Sequence, residues 1–192
     1  MRSRLLLLIL LGTALCTQPA SAAVPSPVTS VVDPCLIVCP SGDFAFHVAV
    51  RDIANSPVPG ASVLINLCQC PSVHLCEGSC DVVKLADAAG NVTFNIKAGG
   101  VCQQGVTILA DGVLLAGRLV ASTDQNGDLV VNNFDEADVL SKFGSTDLTA
   151  DLNCSGSVDS ADLTVDLSHD GHNCEVVPTL PQSWGRTKAI YR

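Results

Sequence analysis

Two stretches of this chain carry oxygen-bearing side chains at matching intervals. Asp124, Asn126, Asp128 and Asp135 stand at relative positions one, three, five and twelve of the first stretch. Asp151, Asn153, Ser155 and Asp162 stand at the same positions of the second, 27 residues later. A tight loop can aim alternate side chains at one point, and a hard cation such as Ca²⁺ takes about six to eight oxygens. Position seven would add a backbone carbonyl, from Val130 or Ser157, and position nine, Asn132 or Asp159, a ligand that often acts through water. The carboxylate at position twelve sits at the start of a following helix and would close the shell. The same residue types also make Asx-turns and helix caps with no metal. The matched spacing of two copies is what favours Ca²⁺.

Elements must hold these oxygens in place. Helix-like spacing follows each loop, over residues 133–142 and 160–167, with Val139, Leu140, Leu163 and Leu167 as the apolar positions. Gly144 and Gly171 stand where helix C-terminal caps belong. Val131 and Val158, at position eight, are expected to point into a small core and to pair with each other. A third look-alike, Asp166-Ser168-Asp170-Gly171, lacks the apolar eighth and acidic twelfth positions and reads as a helix end.

This duplicated loop and helix resembles the dockerin domain, the calcium-binding docking module of cellulosome-type systems. The shared motif is D-x-N-x-D/S, then Val, then Asp, and both copies close on aspartate as dockerin repeats do. The resemblance implies an EF-hand-like pair of loops and a cohesin-like or other envelope protein as partner. It also implies partner contact through positions ten and eleven, which are Asn133-Phe134 and Ser160-Ala161. Two departures stand out: Leu129 occupies a usual glycine position, and neither residue pair is the common Ser-Thr.

Charge is concentrated in the same region. Residues 122–174 hold eleven acids and one Lys, a net of −10, within a chain of net −9. Such a surface repels phosphate and argues against a nucleic-acid partner, and it suits divalent cations.

The N-terminus reads as a secretory signal peptide over residues 1–23, with Arg2 and Arg4, an apolar run from Leu5 to Leu11, and Ala20-Ser21-Ala22 as a small-residue cleavage site. No apolar run is long enough to span a membrane. The protein is therefore expected to be exported, to the periplasm, the cell surface or beyond. Ten cysteines in such a chain indicate disulfides. Cys154 and Cys174, the only two of the repeat region, are expected to pair. Cys35, Cys39, Cys68, Cys70, Cys76, Cys80 and Cys102 make an odd seven whose connectivity stays open, with one thiol left free or bonded to another molecule. Zinc at Cys68, Cys70, Cys76 and Cys80 with His74 is the weaker alternative, because the spacing is not a common zinc arrangement.

Residues 24–43 read as a linker carrying Cys35 and Cys39. Over residues 44–121 the pattern is that of strands: Phe44, Phe46, Val48 and Val50 alternate with polar or small residues, and Val92, Phe94 and Ile96 share one face. Asp111-Gly112 marks a hairpin. "VRDIANSPVPGASV" followed by "DAAGNVTF" resembles bacterial immunoglobulin-like and carboxypeptidase-regulatory-like modules, which implies an Ig-like β-sandwich with a disulfide-linked loop. The fold class expected is mainly β with a small α C-terminal unit.

Nothing resembles a catalytic constellation. There is no nucleophile elbow, zincin helix or phosphate loop, and aromatics make up only 4% of the chain, too few for a sugar cleft. His47 reads as a surface residue, and His169 and His172 as partners of helix C-terminal carbonyls. Asn91 and Asn153 head glycosylation-like triplets. The tail, residues 175–192, holds the only Trp and Tyr with three bases; it reads as a solvated end or as an attachment signal. The function expected is a non-catalytic, calcium-binding docking or adhesion protein at or outside the cell surface. The rivals are an accessory component of extracellular polysaccharide degradation and a purely structural surface protein.

Overall fold

A computed structural model describes residues 23–175. The signal-peptide reading and the tail reading therefore lie, but for Ala23 and Glu175, outside the described residues.

The architecture is mainly β. Among the described residues ten strands run in chain order: β1 Val31–Val32, β2 Leu36–Val38, β3 Ala45–Ala49, β4 Ser62–Asn66, β5 His74–Leu75, β6 Asp81–Leu85, β7 Asn91–Asn95, β8 Ala98–Gly99, β9 Cys102–Ala110 and β10 Val113–Ser122. The α-helices α1 Asn133–Ser141 and α2 Ser160–Leu167 follow them within the described residues. A three-stranded sheet has the order β1-β3-β7, a five-stranded sheet the order β2-β10-β9-β4-β6, and β5 pairs with β8. No helix among the described residues is long and apolar enough to cross a membrane.

Alternation along the strands builds the core. Phe46 and Val48 of β3, Val92 and Phe94 of β7, Val63 and Ile65 of β4, and Val106 and Ile108 of β9 all join one buried apolar cluster. Each such side chain contributes roughly 1.5–3 kcal/mol when fully buried. The β9–β10 hairpin turns at Asp111 and Gly112, both with positive φ (46° and 80°), the backbone sense that matches strand twist in two-residue turns.

Two expectations need correction here. The stretch 24–43 is not a linker. Val31–Val32 pairs antiparallel with β3, and Leu36–Val38 pairs parallel with β10. Both strands are too short to show a period in the sequence, and their partners are distant in the chain. Phe44, grouped with the core by its alternation, is only half-buried; it stacks on His169, with ring centroids 4.9 Å apart.

Disulfides follow the tertiary packing. Cys68 pairs with Cys80 and Cys70 with Cys102 within the β unit. Cys35 pairs with Cys154 and Cys76 with Cys174, tying the β unit to the loop-helix region. The expected Cys154–Cys174 bridge is thus overturned. Both cysteines face the β unit on which the repeats are docked, so each meets a strand-side partner. With their thiols paired, the four cysteines beside His74 do not form a zinc site. Cys39, which is buried, is the free thiol among the described residues.

Candidate calcium loops and their setting

The two loops fold alike in backbone. In the first, Gly127 and Leu129 have positive φ (78° and 69°), and in the second so do Cys154 and Gly156 (63° and 91°). These are positions four and six of each loop. Position six is where an EF-hand loop needs glycine for its sharp turn. Leu129 adopts the left-handed conformation there without being glycine, at a cost of about 1–2 kcal/mol.

Carboxylates organise each loop from inside. Asp124, Asp135, Asp151 and Asp162 are all buried. Asp124 accepts the N–H of Gly127 at 2.8 Å and of Leu129 at 2.7 Å. Asp151 accepts the N–H of Ser155 at 3.0 Å and of Gly156 at 2.7 Å. Asp135 accepts from Asn126 and Asn132, and Asp162 from Leu152, Asn153 and Asp159. The position-three amides Asn126 and Asn153 each accept from the residue two further on, Asp128 and Ser155.

Helix starts are built from the same residues. Asn132 caps α1 and Asp159 caps α2, each with a reciprocal capping box completed by Asp135 or Asp162. The capping role and the loop role therefore fall on one set of side chains.

The copies are joined reciprocally. Val131 N–H donates to the His172 carbonyl at 2.8 Å, and Gly171 N–H donates to the Val131 carbonyl at 2.9 Å. Val158 N–H donates to Ser145 at 2.9 Å, and Gly144 N–H donates to Val158 at 2.8 Å. The expected pairing of the two valines with each other is replaced by pairing of each with the segment that follows the other helix. Both valines are buried as expected, and Val158 packs with Val139 and Ala150 in a small second core. Leu140 and Leu167, read as apolar-face positions, are 46% and 50% exposed; buried Asp135 and Asp162 take up the inner face instead.

An oxygen-only donor set with two buried carboxylates per loop fits a hard cation. Burial raises the carboxyl of Asp124 above its ordinary value, opposed by the backbone N–H groups of Leu129 and Gly127, and the nearby charges of Asp135 and Asp128 add to the rise. Burial likewise raises that of Asp135. A bound dication would offset this repulsion. In the first loop Asp124, Asp128 and Asp135 are not drawn within 4.8 Å of one another; among the described residues only Cys39, Asp43, His169 and His172 form such a group. A cation would have to pull the loop carboxylates inward.

Asn133, Phe134, Ser160 and Ala161 are all exposed. Phe134 is 67% exposed. His47 is a surface residue, with its Nδ1 2.9 Å from Asp33. His169 does meet a helix carbonyl, that of Val165 at 2.7 Å. His172 does not; its ring turns to the β unit, where Nδ1 lies 3.0 Å from Asp43. The sequence signal for this group was His-x-x-His at 169 and 172 and Cys-x-x-x-Asp at 39 and 43, too far apart in the chain to be joined by spacing. Comparison with protein-family models, curated proteins and solved structures finds no match to this chain.

Proposed function

We propose that this is an exported, non-catalytic interaction protein whose dockerin-like loop pair binds two Ca²⁺ and presents a docking face beside an Ig-like β-sandwich. The observation that carries this reading is the equivalence of the loops: the same left-handed positions, the same buried carboxylates and reciprocal hydrogen bonds under one 27-residue shift. Asp124, Asn126, Asp128, Asp135 and the Val130 carbonyl would hold one ion, with Asn132 reaching it through water. Asp151, Asn153, Ser155, Asp162 and the Ser157 carbonyl would hold the other, with Asp159 in the equivalent place. Exposed Phe134 is the anchor for a protein partner, because a large apolar ring at an interface centre carries more binding energy than its neighbours.

The test is calorimetry of the intact chain with Ca²⁺, followed by capture from envelope or secreted extracts with Ca²⁺ and with a chelator. Two bound ions are expected, with a protein retained only in Ca²⁺ and lost with Phe134→Asp. Absence of Ca²⁺ heat and of any Ca²⁺-dependent rise in melting temperature would remove the reading.

A second reading is a structural surface protein in which Ca²⁺ only stiffens the C-terminal unit. The two disulfides that bind that unit to the strands, Cys35–Cys154 and Cys76–Cys174, favour it. Ca²⁺ binding with no captured protein would select it.

A further inference from the structure

We propose that Cys39, Asp43, His169 and His172 form a zinc site that clasps the loop-helix region to the β unit. Their ligand atoms all lie within 4.8 Å of one another. Cys39 Sγ is 3.8 Å from His172 Nδ1. Asp43 Oδ2 is 3.0 Å from His172 Nδ1 and 3.8 Å from His169 Nε2. In a tetrahedral site with Zn–S near 2.3 Å and Zn–N near 2.0 Å, ligand atoms stand roughly 3.3–3.6 Å apart. The three edges of 3.0–3.8 Å bracket that length, and an ion would draw in the remaining ones, which lie within 4.8 Å.

Chemistry selects the ion. One thiolate, two imidazoles and one carboxylate form a borderline-soft donor set, unlike the all-oxygen loops, and suit Zn²⁺. A thiolate and a carboxylate also neutralise its charge.

The site is built rather than accidental. His169 Nδ1 lies 2.7 Å from the Val165 carbonyl, so Nδ1 carries the proton and Nε2 is left with its lone pair toward Asp43. That is the outer hydrogen bond that fixes the tautomer of a metal-bound imidazole. Phe44 stacks on the same ring and holds its plane. Ser41 Oγ donates to Asp43 Oδ2 at 2.6 Å and lies 2.9 Å from His172 Nδ1 and 3.1 Å from Cys39 Sγ, steadying the carboxylate beside the imidazole.

A Cys-His-Asp nucleophile is the rival use of these groups, and the geometry opposes it. In such a triad the nucleophile and the orienting carboxylate use opposite ring nitrogens of the histidine base. Here Cys39 and Asp43 both approach Nδ1 of His172, and Cys39 is fully buried. Donor atoms gathered at one nitrogen of the ring, rather than divided between its two nitrogens, suit a shared cation that takes one lone pair from each.

The test uses the intact, disulfide-bonded chain with Ca²⁺ in excess, so that the loops are occupied. Zn²⁺ titration should show one equivalent bound, and Co²⁺ in its place should give the strong absorption of a tetrahedral ion with a thiolate-to-metal band. Cys39→Ser should abolish that band, and His172→Ala should weaken Zn²⁺ binding at least tenfold. Melting curves of the metal-free variants in Ca²⁺, compared with the parent, identify any that fail to fold, and His169→Gln then replaces them. No stoichiometric Zn²⁺ on the folded parent, or full affinity in both histidine variants, would overturn the proposal. Neither outcome bears on the calcium loops.

Discussion

Gly99 of β8 and Asp124 of the first loop occupy one space: a β-carbon on Gly99 would fall on Oδ2 of Asp124. Next to it, Gly100 N–H donates to the Asp124 carbonyl at 2.7 Å. The first loop is therefore seated on the bare backbone of a strand, and its first carboxylate depends on a missing side chain in the β unit.

Gly99→Ala should accordingly displace Asp124. The expected result is loss of one of the two Ca²⁺ equivalents by calorimetry, and destabilisation of about 1–3 kcal/mol, as for overpacking. Gly117→Ala is the control, because its nearest contact would be the Val106 carbonyl at an ordinary 3.8 Å. Equal Ca²⁺ stoichiometry in both variants would show that Asp124 is not a ligand.

Leu129 has φ of 69° where the second loop has Gly156. Leu129→Gly should relieve that strain and stabilise the chain by about 1 kcal/mol, less than the full left-handed cost because glycine also frees the unfolded chain. Urea unfolding reads the change. Gly156→Leu is expected to do the reverse.

Asp166 stands in α2 where Val139 stands in α1, 27 residues earlier, and both are buried. Its Oδ1 has no hydrogen-bond partner among the described groups. Burial, with repulsion from Asp135, Glu136 and Asp170, pushes its carboxyl from 3.8 up to about 7. The folded chain then holds a proton that the unfolded chain has already released. The contribution of this group to stability is full below about pH 4 and is lost as pH rises to about 7. Asp166→Val should flatten this slope and raise stability at pH 8 by on the order of 1–3 kcal/mol. Unfolding in chelator at pH 5 and pH 8 measures both effects, and an unchanged slope would count against the assignment.

Peptide mapping without reductant should recover Cys35–Cys154 and Cys76–Cys174. These bridges span 119 and 98 residues, so removing either should cost about 4–5 kcal/mol in the chain-entropy account. Removing Cys68–Cys80, which spans 12, should cost less, about 3 kcal/mol.

What the sequence determined by itself is local. The helix starts at Asn133 and Ser160, the left-handed glycines Gly144 and Gly171 just beyond the helices, the buried valines at position eight and the Asp111-Gly112 hairpin all follow from interactions within a few residues. Caps, turns and periodicity act over that range, so spacing reveals them. The parallel pairing of β2 with β10, the partners of Cys154 and Cys174, the seat of Asp124 on Gly99 and the meeting of Cys39 and Asp43 with His169 and His172 were decided only by the tertiary structure. Each joins residues some 25 to 130 positions apart. Such contacts form because burying the shared core and docking the repeats outweigh the entropy of closing long loops, and no spacing along the chain encodes which surfaces then face each other.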